Sequence, residues 1–246
     1  MQTDIQLTDE ERERYARHLN LPGFGPEAQL RLKSGSVLVV GAGGLGSPVC
    51  LYLAAAGVGR IGVADGDCVD RSNLQRQVIH STDAIGTPKA LSAAERMSRL
   101  NPDVTVEPIP EMLSPDNIGE VISHYDFVID ATDSSDAKMF INDACVVAGK
   151  PYNHGAIWRY EGQTMTVVPG SACLRCLFDN IPASGTPAGP LGVTAGMLGT
   201  IQAAEAIKYI AQVGELLTNK LLRFDTLTMQ FTHLSVNLSP YCPNHR

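Results

Sequence analysis

The stretch Val37-Leu38-Val39-Val40-Gly41-Ala42-Gly43-Gly44-Leu45-Gly46 decides the fold of this chain. Its apolar residues predict a buried strand, the glycines predict a tight turn, and residues 47–56 have the pattern of a helix. A second apolar run, 61–64, is followed by Asp65, an acidic residue about 20 residues after the glycine turn. A G-x-G-x-x-G in this context predicts a nucleotide-binding βαβ unit, with a phosphate at the helix N-terminus and a ribose at Asp65.

A dense polar cluster follows this unit. Ser72-Asn73-Leu74-Gln75-Arg76-Gln77 comes directly after the second predicted strand, and Lys89 begins the next predicted helix. Arg76 and Lys89 supply fixed positive charge close to the expected crevice, as transfer of a nucleotidyl group requires. A nicotinamide-dependent dehydrogenase explains the glycine turn and Asp65 but gives the two cations no role. The alternative interpretation of Arg76 and Lys89 is that both are ordinary solvated surface cations.

Strands alternate with helices through the first 150 residues, which predicts an α/β fold with a Rossmann-like, mostly parallel sheet flanked by helices. After residue 151 the pattern changes to antiparallel strands. The predicted helices are 9–18, 47–56, 89–100, 114–124, 137–148 and 196–212, and the predicted strands are 37–40, 61–64, 104–106, 127–130, 163–168, 221–224 and 229–233. We expect one domain, 1–246, comprising an N-terminal helical arm (1–32), a nucleotide-binding core (33–150) and a C-terminal part (151–246).

The composition excludes several classes of function. The net charge of −7 argues against a nucleic-acid surface, and no apolar run approaches the length of a membrane span. The first four residues lack the basic and apolar regions of a secretory signal, and six cysteines in 246 residues do not make a disulfide scaffold. We therefore expect a cytoplasmic protein that contacts neither nucleic acid nor membrane.

Two aspartates end the predicted strand 127–130. In the sequence Asp130-Ala131-Thr132-Asp133, a carboxylate at the strand end can hold Mg²⁺ on a triphosphate. We interpret Asp130 as the cap of a turn and Asp133 as the magnesium ligand, although a strand-end aspartate is a cap about as often as a ligand.

Two short pairs of metal-binding residues lie far apart in the sequence. Cys173 and Cys176 form a C-x-x-C, and Cys242 and His245 lie near the end of the chain. This spacing favours a structural zinc site over a redox-active C-x-x-C, which usually opens a helix in a thioredoxin-type βαβ unit. We expect the other three cysteines to be small packed residues.

Taken together, these motifs resemble the MoeB/ThiF/HesA family, the bacterial relatives of ubiquitin-activating enzymes. The resemblance covers almost the whole chain, and its most specific part is the run from Asn73 to Arg76. The matching segments also include 14–18, 41–46, 65–67, 86–89, 130–133, 155–156, 161–163, 173–176 and 199–208.

The resemblance implies adenylation, with Mg-ATP, of the C-terminal glycine of a small ubiquitin-like sulfur-carrier protein that ends in Gly-Gly. Pyrophosphate is released, and a sulfur donor then forms the thiocarboxylate. It also implies a homodimer in which Arg17 reaches the ATP of the neighbouring subunit, with Arg76, Lys89 and Asp133 as the other catalytic residues. The implied nucleotide-binding residues are Gly41, Gly43, Gly44, Gly46, Asp65, Asp67, Ser72, Asn73, Leu74, Gln75, Arg76, Lys89, Asp133 and Ser134, and the implied zinc ligands are Cys173, Cys176, Cys242 and His245.

The chain departs from the family pattern at several points. Ser134 stands where asparagine is usual, and His245 stands where the last zinc ligand is usually cysteine. The crossover loop 180–192 has no cysteine, with Gly185 at the position where many relatives carry one. We expect no fused rhodanese domain after Arg246. We therefore expect the protein to stop at the adenylate and to leave sulfur delivery to a separate donor protein. A non-catalytic scaffold of the same fold is a further alternative.

Overall fold

The computed structural model describes residues 6–178 and 189–245. The helices are α1 (Asp9–Arg14), α2 (Ala16–Leu19), α3 (Gly25–Ser34), α4 (Gly46–Ala56), α5 (Lys89–Leu100), α6 (Ile118–Ser123), α7 (Ser135–Val147), α8 (Leu174–Leu177) and α9 (Gly192–Ala211). The strands are β1 (Ser36–Val40), β2 (Arg60–Ala64), β3 (Thr105–Ile109), β4 (Phe127–Asp130), β5 (Tyr152–Trp158), β6 (Glu161–Val167), β7 (Lys220–Asp225) and β8 (Gln230–Ser235).

All of these strands form one eight-stranded sheet in the order β3-β2-β1-β4-β5-β6-β7-β8. The pairs from β3 to β5 are parallel, and the pairs from β5 to β8 are antiparallel. The predicted fold class, a mostly parallel sheet with C-terminal antiparallel strands, is confirmed. The strand order reverses between β1 and β4, and at such a switch point the carboxyl ends of parallel strands leave a crevice for a ligand. Within the described residues, no helix is both long and apolar enough to cross a membrane.

Helices cover both faces of the sheet. Phe127 and Ile129 of β4 face a core cluster to which α3, α4, α5 and α9 contribute, whereas Val128 faces a second cluster formed with α6 and α7. The alternation follows from the period of two along a strand. It also leaves the carboxyl end of β4 between the two layers, where Asp130 is fully buried.

The structure corrects some predicted boundaries. The capping box of Thr8 and Glu11 is present, but the first helix ends at Arg14, and Tyr15 separates it from α2. Tyr15 is buried and its hydroxyl accepts a hydrogen bond from Asn101 Nδ2 at 2.8 Å, which fixes this corner. The predicted helix 114–124 begins only at Ile118. The loop 180–192, including Gly185, lies largely outside the described residues, and α9 already begins at its last position.

The sequence analysis missed strand β5. Its first half contains Asn153, His154 and Gly155, which break the apolar pattern expected of a buried strand. The polar side chains are nevertheless buried, because each finds a partner inside the protein: Asn153 with Thr166, and His154 with Asp130. β5 joins the parallel half of the sheet to the antiparallel half.

Helices α4 and α9 pack closely beside the glycine turn. A Cβ atom at Gly199 of α9 would lie 2.3 Å from the carbonyl oxygen of Leu45 and 2.5 Å from Pro48 Cγ. Glycine at this position therefore lets α9 approach the first turn of α4. One turn earlier, a Cβ atom at Gly196 would meet nothing within 4 Å.

We predict opposite effects for Gly199→Ala and Gly196→Ala. The first should destabilise the protein by about 1–3 kcal/mol because α9 must move off α4. The second should stabilise it by up to about 1 kcal/mol, since alanine is the better helix former. Denaturant unfolding of both variants and the wild type measures the difference. Equal effects of the two substitutions would contradict the close approach of α9 to the turn.

Candidate active site

A cleft of about 840 Å³ opens at the carboxyl ends of β1, β2, β4 and β5. Most of the predicted site residues line it: Gly41, Gly43, Gly44, Asp65, Asp67, Arg76, Lys89, Asp133 and Ser134. Gly46 lies at the start of α4, and Arg17 is exposed on α2, outside this lining. Ser72, Asn73, Leu74 and Gln75 also lie outside it, so their contact with a nucleotide, like that of Arg17, stays a prediction.

The glycine turn is a tight backbone arrangement. Gly41 has φ of +100°, and a Cβ atom at Gly46 would lie 1.9 Å from the carbonyl oxygen of Gly41. The Asp65 carboxylate accepts hydrogen bonds from the backbone N–H of Ala42 at 2.8 Å and of Asp67 at 2.9 Å. Asp65 therefore fixes the turn to the end of β2 while it borders the cleft. The turn leads directly into α4, whose first N–H groups are available to an anion.

His80 also supports the turn, and the sequence analysis missed it. Its Nε2 lies 2.9 Å from the carbonyl oxygen of Ala42, and its Nδ1 lies 2.8 Å from Ser92 Oγ. Burial lowers the pKa of His80. The neutral ring therefore donates from Nε2 to Ala42 and accepts at Nδ1 from the serine hydroxyl. A lone histidine in a polar run gave no sequence signal for this role.

Two cations occupy the side of the cleft next to the glycine turn. Arg76 donates from Nη2 to Asn73 Oδ1 at 3.1 Å, and the aliphatic part of its side chain lies beside Gly44. Lys89 is mostly buried, and its Nζ lies 2.8 Å from Asp67 Oδ2, which is 60% exposed on its side chain. The exposed carboxylate leaves Lys89 able to exchange that partner for another anion in the cleft. In this arrangement Asn73 positions Arg76.

A buried ionic network lies under the other side of the cleft. Asp130 accepts hydrogen bonds from Thr132, as a turn cap does, and from Lys138 Nζ at 3.3 and 3.4 Å. Lys138 also donates to the carbonyl oxygens of Thr132 and Gly155. Burial acts to raise the pKa of Asp130, but Lys138 and His154 outweigh that effect and lower it to about 2. The interpretation of Asp130 as a cap is confirmed.

His154 completes this network. It is fully buried, lies along the cleft and contacts Asp130 through Nδ1 at 3.1 Å. Burial lowers its pKa, so a neutral ring donates from Nδ1 to the carboxylate. The sequence gave no signal for Lys138 or His154, because each comes from a segment whose place beside Asp130 depends on the whole sheet.

Asp133 and Ser134 differ in role. The Asp133 side chain is exposed in the cleft and, within the described residues, has no hydrogen bond or ion pair to the protein. Ser134 is the N-cap of α7, and its hydroxyl accepts from the N–H of Ala137 at 3.4 Å. Asp133 is therefore free to bind a cation, whereas the Ser134 hydroxyl serves the helix.

The four predicted metal ligands come together at the opposite end of α7. The donor atoms of Cys173, Cys176, Cys242 and His245 all lie within 4.8 Å of one another, and Cys173 Sγ lies 3.7 Å from Cys242 Sγ. Sulfur ligands about 2.3 Å from a tetrahedral zinc lie about 3.8 Å apart, so the spacing fits that ion. His245 Nε2 is buried without a hydrogen-bond partner among the described residues. The donor set and the orphaned nitrogen both fit a metal.

The remaining cysteines, Cys50, Cys68 and Cys145, do not line the cleft. Cys50 and Cys145 are fully buried, and burial raises the pKa of both thiols, that of Cys50 to about 12. Cys68 is exposed and lies outside the lining of the cleft. The prediction of packed cysteines therefore holds for Cys50 and Cys145 and is wrong for Cys68. Cys68 follows Asp67 and forms an isolated β-bridge with Pro88, and its side chain stays exposed.

Comparison with known proteins gives the family. A sequence model described as the ThiF family matches residues 15–244. The chain belongs to the ThiF family. It is 46% identical to the SAMP-activating enzyme E1 of Haloferax volcanii, over 97% of this chain and 90% of that protein. It is 45% identical to the sulfur carrier protein adenylyltransferase of Thermus thermophilus, over 97% of this chain and 92% of that protein.

Solved structures share the fold of this ThiF-family chain. Escherichia coli MccB with ATP superimposes with a TM-score of 0.85 at 24% identity, over 94% of this chain and 73% of MccB. The resemblance inferred from the motifs is thus confirmed at the level of the family, and the arrangement of the sheet agrees with it.

We predict that Lys138→Met destabilises the protein by about 3–5 kcal/mol, because it leaves the Asp130 carboxylate buried without its cation. The double variant Lys138→Met/Asp130→Asn removes both charges and should lose less stability than the single variant. Denaturant unfolding of the wild type and both variants measures the three free energies. A double variant less stable than Lys138→Met would contradict the pairing of the two residues.

Proposed function

We propose that this chain adenylates the C-terminal glycine of a small ubiquitin-like sulfur-carrier protein with ATP and releases pyrophosphate. One observation carries the proposal: the glycine turn, the two cations and the carboxylate of Asp133, which has no partner among the described residues, face one cleft. The family and the names of the two relatives at 46% and 45% identity support the same reaction.

The proposed reaction is an in-line displacement at phosphorus. A carboxylate oxygen of the carrier's last glycine bonds to the α-phosphorus of ATP, and the bond to the bridging oxygen breaks as pyrophosphate leaves. No proton is transferred, so the protein contributes position and charge. Arg76 and Lys89 stabilise the charge that develops on the leaving group. The N-terminus of α4 and Asp65 hold the rest of the nucleotide.

Asp133 is the residue we assign to Mg²⁺. A magnesium ion usually keeps several waters and binds one or two carboxylates together with substrate phosphates. A carboxylate with no partner in the part of the chain that the structure describes fits that pattern. The bound ion would neutralise phosphate charge. Lys138 and Asp130 keep the loop that carries Asp133 in place through Thr132.

The carrier's tail has room on the other side of the cleft. Ala156 and Trp158 of β5, Gln163 of β6 and the ring of Phe178 line that side, beyond Asp133. We propose that the last residues of the carrier lie there, with their carboxylate directed toward the glycine turn. We also propose that the protein is a single adenylation domain that works in the cytoplasm as a homodimer, in which Arg17 of one subunit completes the active site of the other. A separate donor protein supplies sulfur in this proposal.

The alternatives find no support. A nicotinamide dehydrogenase leaves Arg76 and Lys89 without a role, and the relatives named above are an activating enzyme and an adenylyltransferase. Calorimetric titrations with ATP and with NAD separate these two possibilities. We expect ATP to bind and NAD not to bind, and we expect Lys89→Ala to weaken the binding of ATP. Carrier-dependent exchange of labelled pyrophosphate into ATP excludes a scaffold.

We predict that Arg76→Ala and Lys89→Ala each lower adenylation by roughly 100- to 1,000-fold, the loss typical of one transition-state donor. The measurement is ATP–pyrophosphate exchange with a purified small protein ending in Gly-Gly that binds the enzyme. Arg71→Ala is the matched control, because Arg71 is exposed in the same segment and does not line the cleft. Circular dichroism checks folding. Exchange near the wild-type rate in both cleft variants would refute the assignment.

We also propose that Cys173, Cys176, Cys242 and His245 hold one structural Zn²⁺. Four protein ligands leave no open position, so the ion would bind the C-terminal tail to the segment around α8 and take no part in the reaction. Zinc should purify with the protein at about one ion per chain. Cys176→Ser should lose the metal and lower the melting temperature, whereas Cys68→Ser should change neither. Elemental analysis that finds no zinc in the wild type would reject the site.

A further inference from the structure

Two neighbouring residues of α7, Asn142 and Asp143, contact both halves of the candidate metal centre. Their partners come from the segment that contains Cys173 and Cys176 and from the tail that contains Cys242 and His245. We call this pair the α7 clamp. Neither residue has a side-chain atom among the candidate ligands.

Asp143 joins the two ligand pairs to each other. Its carboxylate accepts hydrogen bonds from Arg175 Nε and Nη2, both at 2.6 Å, and from Asn244 Nδ2 at 2.8 Å. Arg175 lies between the two cysteines of the first pair, and Asn244 lies between the ligands of the second pair. The two bonds from Arg175 form a bidentate, charge-assisted contact, which is among the stronger and more directional hydrogen-bonded arrangements.

Asn142 holds the clamp rigid. It is fully buried, and its Oδ1 accepts from the backbone N–H of Leu174 at 2.9 Å and from the Tyr152 hydroxyl at 2.7 Å. Its Nδ2 donates to Asp143 Oδ1 at 2.9 Å. The first ligand pair is therefore fixed to β5 and α7 through the backbone next to Cys173, and Asp143 is fixed in the same unit.

Irregular segments with few contacts open locally unless side chains hold them. The ligands of the second pair lie in such a segment, which follows β8 and contains a short 3-10 turn, Pro243–His245. Asn244 ties this segment to Asp143 without using a ligand atom. Partners outside the ligand set that orient metal ligands typically affect metal affinity by about 10- to 100-fold.

We propose that Asp143 is a positioning residue that preorganises the metal centre by holding the Cys173–Cys176 segment and the Cys242–His245 tail against one carboxylate. This inference rests on the zinc site put forward under the proposed function. Asp143 sets how tightly the ion is retained, and it does not touch the ion.

The test compares zinc retention in the whole protein. Wild type, Asp143→Ala, Asp143→Asn, Asn244→Ala and Arg175→Lys are purified with zinc and exposed to EDTA, and the zinc left per chain is measured over time. The three variants that remove the charge or an anchor should lose zinc about 10- to 100-fold faster than the wild type. Arg175→Lys keeps the charge without the fork and should lie between. Asp116→Asn, an exposed aspartate ahead of α6, should match the wild type.

The outcomes separate the hypotheses. Zinc retention equal to the wild type in both Asp143→Ala and Asn244→Ala would overturn the role of the clamp. If Asp143→Ala fails to fold, Asn244→Ala decides, because Asn244 lies in the tail and outside both core clusters. A wild type without zinc would overturn the clamp and the metal site together. ATP–pyrophosphate exchange on the same preparations decides the adenylation proposal independently of either result.

Discussion

The carbonyl oxygen of Gly41 occupies the space that any side chain at Gly46 would need, and the rest of the site is arranged around that contact. The turn brings the start of α4 directly above the end of β1. Asp65 holds it from β2 and His80 holds it from the segment before α5, both through the backbone of Ala42. α9 packs against it through Gly199. The N-terminal end of α4, where we propose that phosphate binds, is thus fixed from three directions.

The second constraint is electrostatic. Asp130 is ionised with no access to water, which is unfavourable unless partners surround the carboxylate. Lys138 and His154 provide them, and Lys138 also ties the end of β4 to β5 through Gly155. The network links β4 to β5 at the point where the sheet changes from parallel to antiparallel pairing. It also fixes the loop from which Asp133 reaches the cleft.

Local patterns were sufficient to predict much of this molecule. The unit from β1 to β2 and the cap at Asp130 follow from spacing within a short segment. The gathering of Cys173, Cys176, Cys242 and His245 follows from the type and spacing of ligands within two short pairs, although the pairs lie far apart in the sequence. β5 was missed because its buried residues are polar, and their partners are supplied by distant strands. His80, Lys138 and His154 were missed for the same reason. Contacts of Ser72 to Gln75 with a nucleotide involve a bound substrate, and the contact of Arg17 also involves the proposed homodimer, so spacing along one chain does not determine them.

Helix α7 extends from the cleft to the candidate metal centre, and side chains tie both of its halves to other segments. In its first half, Lys138 donates to Asp130 of β4 and to the carbonyl oxygen of Gly155 of β5. In its second half, Asn142 and Asp143 accept hydrogen bonds from the segment around α8 and from the tail. A shift of α7 along its axis would therefore disturb the Asp130 network and the candidate metal centre together.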